Sequence, residues 1–203
     1  MTRIVSGGFW VLCLGLLLSA GCGGSTPSRF YQLGSLKAEP AASAEASPAE
    51  RIVVAIGPLR IPDYLDRPQI VTRSGINEIR LAEFDRWAGS LERDTVRVLT
   101  EDISALLPAD RFLVIPWVSA SGSALPSLYR VEVTIVRFDG GPGSSVVLKA
   151  QWAVFKSGEG LLLHRESVIR EEVHGPGYVD MVAALSDALA GLSKDIANTI
   201  TSL

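Results

Sequence analysis

The sequence predicts an α+β fold, a mostly antiparallel sheet covered on one face by two long helices to make a two-layer sandwich. Three observations carry that expectation. Tyr129–Phe138 alternates, with Val131, Val133 and Ile135 on one face and Arg130, Glu132 and Thr134 on the other. Val146–Phe155 and Leu161–Val173 follow it across Gly-containing turns at Asp139–Gly143 and Ser157–Gly160, the order of an antiparallel meander. Trp87–Leu107 and Tyr178–Leu203 change to helical spacing, so two helices flank that meander in the chain.

The remaining elements follow in order. Arg29–Leu33 (RFYQL) reads as a first strand, and residues 37–50, rich in Ala, Pro, Ser and Glu, read as a loop. Ile52–Ile56 is a continuous β-branched run ended by Gly57 and Pro58, a buried strand by its length and punctuation. Pro62 and Pro68 bracket a turn, because neither proline can sit inside a ladder. Gln69–Arg73 and Ile76–Leu81 read as strands around Ser74-Gly75. The first helix includes Phe84, Trp87, Leu91, Val98 and Leu106 on one side and stops at Pro108, and Arg111–Pro116 is a short strand. In the last helix Val182, Leu185, Leu189, Leu192, Ile196, Ile200 and Leu203 form a stripe for packing on the sheet, with self-association as its other use.

The N-terminus reads as an address. Arg3, the apolar Val11–Leu18 and the small residues Ser19, Ala20 and Gly21 stand in the order of a secretory signal peptide. The run is short for a span of about 20 apolar residues. Cys22 next to it makes the segment resemble a bacterial lipoprotein signal, with Leu18 one step before the position where that pattern prefers Leu. The reading gives residues 1–21 as a removed signal, Cys22 as the lipidated residue, 22–28 as a flexible tether and 29–203 as one periplasmic domain. Several acyl chains on Cys22 would hold the protein stably, where one chain holds only marginally. Gly23, in place of an Asp that retains lipoproteins in the inner membrane of enteric bacteria, favours the outer membrane. From Cys22 to Arg29 the tether reaches no more than about 25 Å.

Composition narrows the function. The signal takes away Arg3 and no acid, so the 22 acidic residues outnumber the remaining basic ones, and nothing forms the basic stripe of a nucleic-acid binder. Cys13 leaves with the signal and Cys22 carries lipid, so no thiol is left for a disulfide, a nucleophile or a soft-metal site. His164 and His174 have no carboxylate or cysteine partner at ligand spacing and read as structural. Asp63 and Asp66 resemble a carboxylate pair, but Arg60 and Arg67 beside them point to turn-stabilising ion pairs. Gly140, Gly141 and Gly143 lack phosphate-loop spacing, and no Gly-x-Ser-x-Gly elbow exists. The expectation is therefore no catalytic residue, no metal and no cofactor.

The segment PDYLDRPQIVTR at Pro62–Arg73, with FYQL at Phe30–Leu33, FDG at Phe138–Gly140 and AQW at Ala150–Trp152, resembles the PqiC-like family of ABC-type transport auxiliary lipoproteins. That resemblance implies a non-catalytic partner of an MCE-domain periplasmic tunnel protein in intermembrane lipid transport, bound to outer-membrane lipids through Cys22. It also allows a homo-oligomeric ring. Arg60, Pro62, Asp63, Tyr64, Leu65, Asp66, Arg67 and Pro68 then form the candidate partner-binding loop, stiff and flanked by charge. Tyr64 and Leu65 read equally well as core residues. The alternative function is a stand-alone lipid- or solute-binding lipoprotein of the periplasm.

Overall fold

The computed structural model describes residues 26–36, 51–117 and 128–203. The expected signal, Cys22 and the expected loop at 37–50 lie outside the described residues. Eight strands join in one sheet: β1 (Arg29–Tyr31), β2 (Ile52–Arg60), β3 (Gln69–Arg73), β4 (Ile79–Trp87), β5 (Phe112–Pro116), β6 (Leu128–Gly140), β7 (Ser145–Lys156) and β8 (Gly160–Glu172). Two helices, α1 (Leu91–Leu106) and α2 (Tyr178–Thr201), complete the described elements.

The sheet is mixed, which corrects the expectation of a mostly antiparallel one. The pairs β1 with β4, β2 with β5, β2 with β6 and β3 with β6 are parallel. Among the described residues only the hairpin of β3 with β4 and the meander of β6, β7 and β8 are antiparallel. The cause lies in the connections, because each parallel partner is reached across other elements rather than through a tight turn: β5 joins β2 only after β3, β4 and α1. A strand flanked by two parallel partners is buried on both faces and reads as one apolar run rather than an alternation. Ile52–Ile56 is such a run: Val54 and Ile56 face the main core, and Val53 and Ala55 face a smaller cluster with Leu128 on the opposite side.

Element boundaries move for local reasons. β2 does not stop at Gly57 and Pro58 but continues to Arg60. Gly57 takes φ +124°, the register shifts between Ile56 and Leu59, and Pro58 is exposed, so the missing N–H falls at a bulge. Phe84 and Trp87 belong to β4 and not to the helix, which opens only after Ser90. The Ser90 hydroxyl accepts from the Arg93 N–H at 3.4 Å, and Glu92 and Asp94 lie in the first turn, where the helix dipole favours acids. The β3–β4 connection spans Ser74–Glu78 rather than the Ser-Gly pair alone, closed by Ser74 N–H on the Glu78 carbonyl at 3.2 Å.

Both helices pack on one core and on each other. α1 contributes Leu91, Val98, Leu99 and Ile103, and α2 contributes Met181, Leu185, Leu189, Leu192, Ile196 and Ile200. They meet Val131, Val133 and Ile135 of β6 and Leu148, Ala150, Trp152 and Val154 of β7. Each large side chain fully buried there contributes about 1.5–3 kcal/mol. Leu203, expected on the stripe, is exposed beyond the end of α2.

Two polar ties run through this apolar layer. Asp102 of α1, fully buried, accepts from the Ser193 hydroxyl of α2 at 3.2 Å and from the Leu36 N–H at 2.7 Å. Burial pushes its carboxyl above the usual aspartate range. In the second tie Trp152 Nε1–H donates to the Ser167 hydroxyl at 3.1 Å, which donates to Asp195 at 2.7 Å and so links β7, β8 and α2.

Candidate docking surface

The Pro62–Pro68 loop follows the last residues of β2 and returns as β3, both interior strands of the sheet, and short backbone hydrogen bonds fold it. Leu65 N–H reaches the Pro62 carbonyl at 2.9 Å, Asp66 N–H the Asp63 carbonyl at 3.3 Å and Arg67 N–H the Leu65 carbonyl at 2.8 Å. Leu65 enters the core with 2% of its surface exposed, and Tyr64 packs against that core half-buried. The two expectations for these residues thus separate within one loop: Tyr64 and Leu65 hold it down, and its outer rim is what remains for contact.

What fixes the loop is a charged node that the sequence did not reveal. Asp139, at the end of β6 with no exposed surface, accepts from Arg73 twice, Nε at 2.9 Å and Nη2 at 2.8 Å, and from Arg137 Nε at 2.8 Å. The Tyr64 hydroxyl donates to the same carboxylate at 2.8 Å, and the Arg73 guanidinium lies 5.9 Å from the Tyr64 ring centroid. Burial alone would raise the Asp139 pKa, but the bonds from Arg73, Arg137 and Tyr64 outweigh it and hold the carboxyl below its usual value. Burial and the bond to Asp139 push the Tyr64 hydroxyl up to about 12. Around neutral pH the node is therefore a fixed anion clamped by two cations, a joint rather than an acid or base.

Gly140, next to Asp139, is required for that joint, because a Cβ there would collide with the Ser145 carbonyl oxygen and approach Val146 Cα to 2.6 Å. The residue types of such a node could have been found as Tyr64, Arg73 and Asp139 in the quoted motifs. Their meeting could not, since the parallel pairing of Thr72 with Gly140 brings them together from 66 residues apart.

The rim consists of Arg60, Asp63, Asp66 and Pro68, all exposed, with Pro62 and Arg67 partly covered. Among the described residues, Asp63 and Asp66 form no ion pair with Arg60 or Arg67, which corrects the turn-stabilising role expected for them. The reason is that the backbone turns and the Asp139 node already close the loop, leaving Arg60, Asp63 and Asp66 in water, where a pair gains little. His164 lies exposed on β8 and His174 exposed before α2. Among the described residues no three His, Cys, Asp or Glu converge on a metal site, and no helix is long and apolar enough to cross a membrane.

A second structured region holds the start of the described chain. Arg29 Nε and the Tyr31 hydroxyl both reach buried Asp85, at 2.9 and 2.6 Å. Burial, followed by that hydrogen bond, pushes the Tyr31 hydroxyl up to about 12. Beyond β1 the chain runs extended over the helix pair, with Leu33 N–H on Asp94 at 2.8 Å, Arg97 Nη2 on the Leu33 carbonyl at 2.7 Å and Gly34 N–H on Ser186 at 3.0 Å.

Comparison with known proteins adds relatives to this geometry. Residues 31–197 match the family described as the ABC-type transport auxiliary lipoprotein component. The chain is 26% identical over 198 residues to the intermembrane transport lipoprotein PqiC of Escherichia coli K12, with 96% of this chain and 98% of that protein covered. A crystal structure of an uncharacterized protein shares the fold at TM-score 0.68 and 22% identity, covering 86% of this chain and 99% of that one. A Xanthomonas campestris protein does so at TM-score 0.61 and 14% identity, covering 84% and 93%. The family is one of transport auxiliary lipoproteins and not of enzymes. With its model matched from the first strand to the last helix, this chain belongs to the ABC-type transport auxiliary lipoproteins.

Proposed function

We propose that the protein is the lipid-anchored docking subunit of an intermembrane lipid transport system, fixed in the outer membrane by Cys22 with residues 29–203 in the periplasm. In this reading residues 1–21 are removed as a lipoprotein signal, and the exposed rim of Arg60, Asp63, Asp66 and Pro68 meets an MCE-domain tunnel protein. The observation that carries it is the end-to-end similarity to the intermembrane transport lipoprotein PqiC. The rigid seating of the rim on the Asp139 node supports the same reading, because a surface that is already ordered loses little conformational entropy on docking. Copies arranged as a ring would place one continuous opening over the end of the tunnel. The system supports the integrity of the envelope by moving lipid, and any ATP hydrolysis belongs to another subunit.

Affinity purification of the full-length lipoprotein from membranes tests the reading. The MCE-domain protein is expected in the eluate, and its attachment to outer-membrane fractions is expected to fall when this chain is deleted. A tunnel complex unchanged in composition and attachment without this chain would sink the proposal. Replacement of Cys22 by Ser is expected to move the protein from the membrane to the soluble periplasmic fraction. Stoichiometric phospholipid binding by the delipidated protein would instead favour a carrier acting alone.

A further inference from the structure

Phe30 and Val179 are two apolar side chains that the fold leaves uncovered side by side. Phe30 is 66% exposed on β1 and Val179 67% exposed in the first turn of α2, and both line one open groove of about 480 Å³ together with Val182. Their exposure is built in. Arg29 and Tyr31 on either side of Phe30 are both tied to Asp85, so the short strand cannot rotate to hide the ring. Tyr178, next to Val179, packs on the core with its ring centroid 6.5 Å from that of Tyr31, which fixes the two elements against each other. Asp180 fixes the start of α2 by accepting from the Gly177 N–H at 3.1 Å.

Position along the chain names the occupant. Only eight steps along the chain separate Phe30 from Cys22, so Phe30 lies at most about 28 Å along the chain from the acylated residue. Among the described residues no other exposed large apolar side chain is so close to it in sequence. Resting on the anchored reading above, we propose that Phe30 and Val179 form a membrane-contact surface that enters the headgroup region of the anchoring leaflet and sets how the domain stands on it. Apolar side chains of this kind are those that interfacial contacts bury in the upper acyl region. The orientation turns the β3–β4 hairpin tip away: Phe30 and Tyr31 pair with the far end of β4, at Arg86 and Trp87, about 25 Å along the strand from its hairpin end.

The test uses the full-length lipidated chain in vesicles of phosphatidylethanolamine and phosphatidylglycerol. Cysteine is introduced as Phe30→Cys, Val179→Cys or, for reference, Ile76→Cys, which is 92% exposed at the hairpin tip. A nitroxide on each thiol is exposed to oxygen, which concentrates in the bilayer, and to a water-soluble nickel chelate. The ratio of oxygen to nickel collisions is expected to be several-fold higher at positions 30 and 179 than at 76. Equal ratios at all three positions in protein that floats with the vesicles overturn the contact surface while leaving the anchor intact. Shielding from both reagents reports a protein neighbour on this patch and also overturns it. Mass spectrometry and flotation of the same sample report the anchor separately: if no acyl chain is attached, the anchored reading fails and the contact surface falls with it.

Discussion

Replacing Asp139 with Ala should detach the Pro62–Pro68 loop from the sheet. The carboxylate takes four hydrogen bonds, from Arg73 Nε and Nη2, Arg137 Nε and the Tyr64 hydroxyl, all at 2.8–2.9 Å. Breaking a buried pair by removing one partner costs about 3–5 kcal/mol, because the opposite charge is left without compensation. Here the side chains of Arg73 and Arg137 are 21% and 37% exposed, so water recovers part of that cost and about 2–4 kcal/mol remains. Chemical denaturation by urea reads the loss. With a slope near 2 kcal/mol/M, the midpoint should fall by about 1–2 M with the slope unchanged. A double-mutant cycle with Tyr64→Phe should show coupling of about 0.5 kcal/mol or more, since both groups share one carboxylate. Below about pH 4 the difference from wild type should shrink, because the folded Asp139 pKa lies below the unfolded value and its contribution is lost as pH falls through the folded one. A midpoint within about 0.2 M of wild type would refute the node as the fastening of the loop.

The other predictions concern the same scaffold. Gly140→Ala should cost about 1–3 kcal/mol by overpacking against Ser145 and Val146, seen as a Tm lower by roughly 2–12 °C; an unchanged Tm would mean the backbone relaxes freely there. Asp102→Asn should be neutral or stabilising at pH 7, because the folded carboxyl titrates above its unfolded value and stability falls as pH rises between the two. That advantage should vanish below the ordinary Asp value of about 3.9, and a thermal scan at several pH values checks it. Ser167→Ala should cost about 1–3 kcal/mol by leaving Trp152 Nε1 and Asp195 without their shared partner, again read by urea denaturation.

The meander and the last helix were legible because each carries its own period: β6 and β7 alternate, and α2 repeats on steps of three and four. Strand direction was not. A run such as Ile52–Ile56 announces burial on both faces, but its parallel partners β5 and β6 are set by crossovers of many residues, which no local pattern records. The start of α1 was misplaced because Phe84 and Trp87 continue the apolar spacing of the helix while Ser90, the capping residue, marks the true beginning. The quoted motifs prove largely architectural. FYQL ties β1 and the helix pair through Asp85 and Asp94, Tyr64 and Arg73 meet the Asp139 of FDG, and the Trp of AQW reaches Asp195 through Ser167. Single-sequence reading could therefore pick out the residues and not their meetings, which are made between groups more than 50 residues apart in every case but that of Trp152. The exposed rim carries no such internal partner, and only its position on a fastened loop distinguishes it.

Photo-crosslinking in living cells tests the docking role most directly, with a photoreactive amino acid placed at Asp63, at Pro68 and, as a reference, at His164 on the far edge strand. The account predicts that Asp63 and Pro68 yield an adduct containing the MCE-domain protein and that His164 does not. Adducts to that protein from His164 alone, or from none of the three while the lipoprotein remains folded and membrane-bound, would contradict it.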